Sequence, residues 1–388
     1  MRKILVLNND LDFGGIQKSL ITFLDFLDNS GNCVIDLMLW QKDGPLQKML
    51  PKNTQIIFQN YGPSLADVKK ENNIVNQIIL LSKYVKFIFY ARVLKKPWLF
   101  YSKLNKHYDA VVSFTHNGYP RFFAVDRVSA TDKYLWFHHG SYNASPKEKN
   151  IDRRYYEKFD KIITVSSSNK DMLADHFPKL KDQLFVIPNI INATTIKALA
   201  AEPFQDMSNS SGSYNFVTVS RFSKEKGLDL AINIAFELKA RGLKFRWFFV
   251  GDGDLFFSMK ELADQKKVGD VCVFVGSKEN PYPYFKHADL YIQTSYVEAH
   301  PITLCEALIL KKMIITTDLP STRELLQDGN LGILCKPDAG VFAVEILKLI
   351  QSELKQKTLI ATIEKHDISN EIAYKRISEL LRIIIKKN

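Results

Sequence analysis

Residues 298–306 have the sequence EAHPITLCE, in which Glu298 and Glu306 stand with seven residues between them. Residues 289–294 before this segment predict a buried strand, and the glycine-free, mostly apolar residues 304–310 predict a helix. Glu298 is therefore expected in a strand-to-helix loop, and Glu306 about one turn into the helix. Two carboxylates beside one helix start can serve a single ligand.

The start of the predicted helix favours a negatively charged ligand. Pro301 suits the first helical position because its missing N–H costs nothing there. The N–H groups near Ile302 and Thr303 point out of the helix start, where the helix dipole attracts an anion. A diphosphate at this point, with carboxylates on either side to accept hydroxyl protons from a ribose and a sugar, fits a nucleotide sugar. A glutamate pair at this spacing also arises by chance, so the rest of the chain has to support the interpretation.

Other motifs in the second half support it. The spacing of the two glutamates resembles the E-x7-E signature of the retaining glycosyltransferases of family 4, also called glycosyltransferase group 1. Arg221 and Lys226 match the family's R-x-x-x-x-K-G motif, and residues 328–334 resemble its D-G-x-x-G-x-L turn. In the first half, residues 136–138 resemble a W-x-H stretch and residues 186–189 a V-I-P-N stretch of the same family.

The resemblance implies an α/β chain with the GT-B fold, in which two Rossmann-like domains with parallel sheets face an interdomain cleft. It implies a retaining hexosyltransferase that uses a nucleoside diphosphate sugar, with a UDP-sugar favoured, and requires neither a cofactor nor a metal. The implied acceptor is a glycan or a lipid-linked glycan in bacterial surface polysaccharide synthesis, such as capsule or exopolysaccharide. The implied site is cytoplasmic, at the inner face of the membrane.

The resemblance also implies roles for the second-half residues. Arg221 and Lys226 hold the diphosphate and stabilise the leaving group, a task that other enzymes give to a metal ion; Lys224 is the alternative cation. Glu306 accepts hydrogen bonds from the ribose. Glu298 holds the sugar, together with the backbone amides near Ile302 and Thr303.

Two first-half features are expected to face the same cleft. Gly15, the second glycine of a pair after the first predicted strand, lets the backbone approach the donor diphosphate and the acceptor. His138 aligns with the family histidine that contacts the sugar, at the carboxyl end of a strand where ligands bind. Strand alternation points His139 the opposite way, so His139 is the alternative to His138.

The sequence also departs from the family pattern. Ala299 and His300 stand where the family often has a glycine and an aromatic residue, which alters the expected sugar pocket. Gln17 stands where a carboxylate often follows the paired glycines. Asp252 and Asp254 look like the metal-binding D-x-D of another glycosyltransferase fold, but the resembled family has a G-x-G turn here, so we expect no metal site.

Composition narrows the class of protein. The 388 residues are 46% hydrophobic, enough for two globular domains. The four cysteines are widely separated, which favours a reducing compartment over a disulfide framework. The N-terminal apolar run is too short for a signal peptide, and no run is expected to reach the roughly 18 apolar residues of a membrane span. The net charge of +11 fits phosphorylated substrates or an anionic membrane, whereas no nucleic-acid-binding module is recognisable.

A basic, aromatic insert interrupts the α/β alternation at residues 66–106. It holds nine Lys and Arg residues against only Asp67 and Glu71. Residues 74–96 can form a helix with apolar side chains and a basic flank, which suits the interface of an anionic membrane. The alternative is that the apolar face packs on the sheet and the lysines are solvated.

The alternation predicts the domain organisation. Residues 1–200 form the first domain, the polar residues 201–214 are a linker, and residues 215–365 form the second domain. The resemblance implies that the first domain is the acceptor side, that the second binds the donor, and that a final helix within 366–388 crosses back to the first domain. Over residues 371–387 this helix is expected to have an apolar face made of Ile372, Ile377, Leu380, Leu381 and Ile384. Two other functions stay open: a nucleotide-sugar epimerase of the same architecture, and a non-catalytic partner subunit of a glycosyltransferase.

Overall fold

Two parallel β-sheets organise the chain in this computed structural model, which describes residues 1–60, 62–207, 212–366 and 368–383. The strands of the first sheet are β1 (Arg2–Asn8), β2 (Cys33–Leu39), β3 (Thr54–Phe58), β4 (His107–Ser113), β5 (Ser129–Phe137), β6 (Lys161–Thr164) and β7 (Leu184–Val186). Those of the second are β8 (Tyr214–Val219), β9 (Phe245–Val250), β10 (Cys272–Gly276), β11 (Leu290–Gln293), β12 (Met313–Thr317) and β13 (Ile333–Cys335).

Helices connect the strands of both sheets. In chain order they are α1 (Gly15–Asn29), α2 (Leu65–Lys70), α3 (Ile74–Ile88), α4 (Pro120–Asp126), α5 (Pro146–Tyr156), α6 (Ser167–His176), α7 (Ala193–Ala200), α8 (Leu228–Ala240), α9 (Phe256–Gln265), α10 (Tyr282–His287), α11 (Ile302–Ile309), α12 (Pro320–Leu325), α13 (Ala339–Ile350), α14 (Glu353–Lys365) and α15 (Glu371–Leu381).

The strand order confirms the α/β class with parallel sheets. The first sheet has the order β3-β2-β1-β4-β5-β6-β7, and the second has the order β10-β9-β8-β11-β12-β13. The order reverses between β1 and β4 in the first sheet and between β8 and β11 in the second. Each reversal creates a crevice at the carboxyl ends of these strands. Central strands such as β1 are buried over most of their length, because helices cover both faces of a parallel sheet.

The chain after the second sheet returns to the first one. On α15, Ala373, Ile377 and Leu381 are buried against the core of the first sheet. The ring of Tyr374 stacks on Phe26 of α1 at 4.3 Å between ring centroids. The halves of the molecule are therefore joined both by the chain around residue 200 and by its C-terminal helix.

Several predicted element boundaries are corrected by the structure. Pro301 lies at the N-cap of α11, one position before the helix that it was expected to begin. Ile372 was predicted on the apolar face of the last helix but is 62% exposed, because Ala373 takes the core-facing position in register with Ile377. Ile384, also predicted on that face, and residues 208–211 of the predicted linker lie outside the described residues.

The basic insert forms a helix whose apolar side chains are mostly exposed. Helix α3 continues through a wider π turn at Phe89–Val93, so it ends slightly before the predicted residue 96. Among the described residues, Ile74–Val93 is long and apolar enough to cross a membrane by length and composition, and none of its apolar window is buried. The expectation that no segment has this length overlooked it because Lys83 and Lys86 interrupt the apolar run.

Candidate active site

A cavity of about 970 Å³ lies between the carboxyl ends of the two sheets. Its walls include the loop after β1, the loop after β5, the loop after β8 and the loop from β11 into α11. These loops follow strands that lie at or beside the two points where the strand order reverses. In open α/β sheets, ligands usually bind at such points. All eight predicted site residues line this cavity: Gly15, His138, Arg221, Lys226, Glu298, Ile302, Thr303 and Glu306.

Two of the predicted residues form an ion pair in the second half. Lys226 Nζ lies 2.7 Å from Glu298 Oε1. Ser295 Oγ donates to the same oxygen at 2.7 Å, and Gln293 Nε2 donates to it at 3.3 Å. The Lys226 and Glu298 side chains are only 19% and 10% exposed, so the pair is shielded from bulk water. All three donors converge on one oxygen of the Glu298 carboxylate.

The turn after β8 explains why this pair forms. Gly227 has a φ of +59°, and a Cβ atom on it would lie 2.1 Å from the carbonyl oxygen of Thr294. Only glycine lets the turn approach the end of β11 this closely. Arg221, at the start of the turn, is 68% exposed and lies 3.7 Å from Glu225. Arg221 is therefore free to turn toward an anion in the cavity, whereas Lys226 is already engaged.

Glu306 is held by residues that the sequence analysis missed. Its side chain is 1% exposed, and Oε1 lies 2.7 Å from Lys18 Nζ, in the other half of the molecule. Tyr282 donates its hydroxyl to the same oxygen at 3.0 Å. Burial, followed by the Glu306 charge, raises the pKa of Tyr282 far above its usual range, so the phenol keeps its proton. Lys18 follows the predicted Gly15 by three residues, but no sequence signal pointed to Tyr282.

The starts of helices α1 and α11 meet at the cavity. A Cβ atom on Gly15 would lie 3.2 Å from the Cδ1 atom of Ile302. Thr303 donates its hydroxyl to Gln293 Oε1 at 3.2 Å, which ties the first turn of α11 to β11. Two helix starts at one point add their dipoles, so this wall of the cavity suits an anion.

The loop that carries Glu298 is fixed through its backbone. Ser321 Oγ donates to the Glu298 carbonyl at 2.8 Å. Ser166 Oγ, from the first half, donates to the Ala299 carbonyl at 2.6 Å. Asn189 Nδ2, also from the first half, donates to the His300 carbonyl at 3.3 Å. Three consecutive carbonyls are therefore oriented by side chains from two parts of the chain.

A second contact between the halves caps a helix. Glu324 of α12 accepts hydrogen bonds from the Ser167 N–H at 3.0 Å to each carboxylate oxygen and from the Ser168 N–H at 3.3 Å. These two N–H groups are at the start of α6, where they have no partner within the helix. A carboxylate also complements the positive end of the helix dipole. No sequence motif pointed to this role of Glu324.

The two candidate histidines occupy different surroundings. The His138 ring packs on Phe114, and burial lowers its pKa to about 3, with His139 adding to the effect. Burial also lowers the pKa of His139, and the next largest contribution comes from Arg221 across the cavity. His139 Nε2 lies 2.9 Å from Asn117 Nδ2. Both histidines line the cavity, so their relative roles remain a prediction.

The positions that depart from the family pattern have structural roles. Gln17, on α1, donates its Nε2 to Oδ1 of Asp10, in the loop after β1, at 2.6 Å. Ala299 is 6% exposed and packs into the core of the first half. Asp252 Oδ1 accepts a hydrogen bond from the Gly253 N–H at 2.7 Å. Across the described ranges, no three His, Cys, Asp or Glu side chains are grouped in a way that could hold a metal ion.

The buried histidines predict that acid destabilises the protein. Burial lowers the pKa of His138 to about 3 and that of His300 to about 4, whereas both titrate near 6.5 when unfolded. Above pH 6.5 both histidines are neutral in the folded and the unfolded state, so they do not reduce the stability. Below pH 6.5 the unfolded state binds protons that the folded state does not, and stability is lost as the pH falls toward the folded-state pKa values. At pH 5 we expect a loss on the order of 2 kcal/mol per histidine relative to pH 7.5.

Urea denaturation at pH 7.5 and pH 5 measures this loss. The variant His138→Gln/His300→Gln should lose less stability between these pH values than the wild-type protein, because glutamine does not titrate. An equal loss in both proteins would contradict the assignment to these two histidines. Both proteins carry the same carboxylates, so the acid response of those groups cancels in the comparison.

Comparison with known proteins agrees with this geometry. The family model described as Glycosyltransferase Family 4 matches residues 55–195, and the model described as Glycosyl transferases group 1 matches residues 202–366. This chain belongs to the family 4, group 1 glycosyltransferases. The two models together cover the part of the chain that contributes most of the cavity, including the two glutamates of the E-x7-E motif.

Several curated proteins are related to this chain. An uncharacterized glycosyltransferase of Methanocaldococcus jannaschii is 26% identical over 53% of each chain. The amylovoran biosynthesis glycosyltransferase AmsK of Erwinia amylovora is 27% identical over 42% of this chain and 44% of that protein. The alpha-monoglucosyldiacylglycerol synthase of Streptococcus pneumoniae is 26% identical over 62% of this chain and 56% of that protein. The chain spans about half the length of the curated relatives it matches.

Solved structures confirm the GT-B fold of this chain. TarM of Staphylococcus aureus, crystallised with Fondaparinux, alpha-GlcNAc-glycerol and UDP, superimposes with a TM-score of 0.72 at 13% identity, over 98% of this chain and 100% of that one. HepE of Anabaena, in complex with UDP and glucose, gives a TM-score of 0.71 at 15% identity, over 99% and 100%. At these identities the likeness concerns the fold alone.

Proposed function

We propose that this glycosyltransferase moves a hexosyl group from a nucleoside diphosphate sugar, preferably a UDP-sugar, to a glycan or lipid-linked acceptor. The acceptor belongs to bacterial surface polysaccharide synthesis. The relative AmsK, an amylovoran biosynthesis glycosyltransferase, supports this choice. The anomeric configuration is retained, and the reaction needs no metal. TarM and HepE, which share the fold, were crystallised with UDP, and this supports the choice of donor.

One observation carries the proposal. The ion pair of Lys226 and Glu298 lies at the cavity wall beside the paired starts of α1 and α11. The helix starts and the cations attract a diphosphate, and the carboxylate beside them accepts hydrogen bonds from sugar hydroxyls. A diphosphate and a sugar are the adjacent groups of a nucleotide-sugar donor.

The proposed roles follow from these positions. Arg221 and Lys226 hold the diphosphate and neutralise the charge that develops on the leaving group. Glu298, whose protein contacts converge on Oε1, offers its other oxygen to the sugar. His138 contacts the sugar beside the loop that carries Glu298, whereas His139 faces the diphosphate cations. Glu306 receives the ribose hydroxyls.

A panel of UDP-, GDP- and ADP-sugars, each with and without membrane extract, tests the proposal. Release of a nucleoside diphosphate from one donor, stimulated by extract and lost in Glu306→Ala, is the expected result. Conversion of the sugar without extract would instead identify an epimerase. No release and no nucleotide binding across the panel would contradict the proposal and favour a non-catalytic partner subunit.

We also propose peripheral contact with an anionic membrane through residues 66–106. On α3, Ile74 is 72% exposed, and Ile78 and Val85 are 63% and 59% exposed. A contiguous apolar face of this kind is unusual on a protein surface that meets only water. Lys83 and Lys86 border the face, and Lys95 and Lys96 follow at its end, where they can reach anionic head groups. The location that we propose with this contact is the cytoplasmic face of the membrane, next to a lipid-linked acceptor.

Sedimentation with phosphatidylglycerol vesicles tests the membrane contact. Replacing Lys83, Lys86, Lys95 and Lys96 by Glu should weaken binding at least about 10-fold, because each lysine contributes roughly 1 kcal/mol near an anionic surface. The matched control makes the same charge change at four exposed lysines of the second half: Lys260, Lys348, Lys355 and Lys357. Equal binding by the two variants would contradict the assignment to residues 66–106.

A further inference from the structure

The Glu306 carboxylate is held on one oxygen only. Lys18 Nζ and the Tyr282 hydroxyl both bond Oε1, at 2.7 Å and 3.0 Å. Lys18 Nζ also donates to the Tyr282 hydroxyl oxygen at 3.1 Å and lies 4.9 Å from the centre of its ring. The three groups therefore form a closed triangle, which fixes the orientation of the carboxylate plane.

The other oxygen of this carboxylate is buried and unpaired. Glu306 Oε2 has no hydrogen-bond partner among the described residues, although the side chain is 1% exposed. Leaving a buried carboxylate oxygen without a donor costs roughly 1–3 kcal/mol or more. Both Glu306 and Lys18 line the interdomain cavity, so a ligand hydroxyl in that cavity can supply the missing donor.

The ammonium group that orients Glu306 comes from the opposite half of the molecule. Lys18 lies in the first turn of α1, after β1 of the first sheet, whereas Glu306 lies on α11 of the second. The contact depends on the close approach of the two helix starts, where Gly15 meets Ile302. Opening of the cleft would separate Lys18 from Glu306 and leave only Tyr282 to hold the carboxylate.

We propose that Lys18 is a positioning residue for the donor: it holds Glu306 Oε1 so that Oε2 faces the ribose diol. This inference rests on the proposed function, in which Glu306 accepts the ribose hydroxyls. Its consequence is that recognition of a ribose, on the second half, requires a side chain of the first half. Nucleotide binding and closure of the cleft are therefore coupled through a single ion pair.

The test compares ribonucleotides with their 2′,3′-dideoxy analogues by titration calorimetry. The probes are UDP, GDP and ADP and the dideoxy form of whichever binds most tightly. Lys18→Met should weaken binding of the ribonucleotide about 10- to 100-fold, the usual worth of a hydrogen bond to a charged group, and leave the dideoxy analogue almost unchanged. Lys18→Arg should restore most of the affinity. In steady-state assays, Lys18→Met should raise KM for the donor more than it lowers kcat.

Three other results are possible for Lys18→Met in this titration. Tighter ribonucleotide binding by Lys18→Met would mean that Lys18 competes with the ribose, and equal losses for both probes would mean that Lys18 acts on the diphosphate or on folding. An unchanged affinity would exclude any role in donor binding. Each of these results overturns the inference on Lys18.

A parallel variant separates failure of this inference from failure of the proposed function. Glu306→Gln should lose most of its preference for the ribonucleotide over the dideoxy form. If it keeps that preference, or if the wild-type protein binds no nucleotide, then the role of Glu306 in the proposed function fails, and the inference on Lys18 fails with it. If Glu306→Gln loses the preference and Lys18→Met keeps it, only the inference on Lys18 fails.

Discussion

Replacing Lys226 by alanine should lower kcat/KM for sugar transfer at least about 100-fold. The Lys226 side chain is only 19% exposed and its ammonium group lies 2.7 Å from Glu298, so the charge acts where water screens it poorly. Loss of a positioned cation removes stabilisation of the diphosphate leaving group, which is largest in the transition state. The measurement is steady-state release of nucleoside diphosphate with the donor that the panel identifies.

The neighbouring lysine provides the comparison for this prediction. Lys224 lies in the same turn and lines the same cavity, and the sequence offered it as the alternative cation. If Lys226 is the cation that acts in catalysis, Lys224→Ala should lower kcat/KM less than about 10-fold. The reverse ranking of the two variants would transfer the role to Lys224.

Replacing Glu298 by alanine should have an effect of similar size, at least about 100-fold in kcat/KM. The substitution removes the acceptor for sugar hydroxyls and leaves the Lys226 ammonium without its partner in a partly buried place. Glu298→Gln keeps the shape and one oxygen acceptor but loses the charge, and its activity should lie between those of the wild type and Glu298→Ala.

A double variant tests whether the two residues act as a unit. Groups that act together show strongly non-additive losses, because removing either one already disables the other. Lys226→Ala/Glu298→Ala should therefore fall within about 10-fold of the less active single variant. Losses that multiply would show that the pair seen in the structure does not function as a pair.

Much of the fold was predictable because each element had a local signal. The strand predicted over residues 289–294 is present as β11, and the helix predicted over residues 304–310 is present as α11 with its start two residues earlier. Errors arose where tertiary packing decided the outcome. Ile372 is apolar but exposed, because the register of α15 on the first sheet is set by Ala373 and Ile377.

The candidate site was predictable only in part, for a related reason. Residues that belong to one motif, such as Lys226 and Glu298, could be named because the motif spacing is visible in the chain. Lys18, Asn189 and Glu324 act across the cleft on partners between 111 and 288 positions away. No spacing rule links such positions in one sequence, so only the arrangement of the two halves reveals them.

The backbone contacts of the Glu298 loop also limit how such an enzyme can change its substrates. The loop belongs to the second half, yet Ser166 and Asn189 of the first half orient its Ala299 and His300 carbonyls. A hybrid that joins this second half to the first half of a relative keeps the sugar-binding loop in place only if a hydroxyl and an amide occupy those two positions. New combinations of halves are thus restricted to partners that supply both groups.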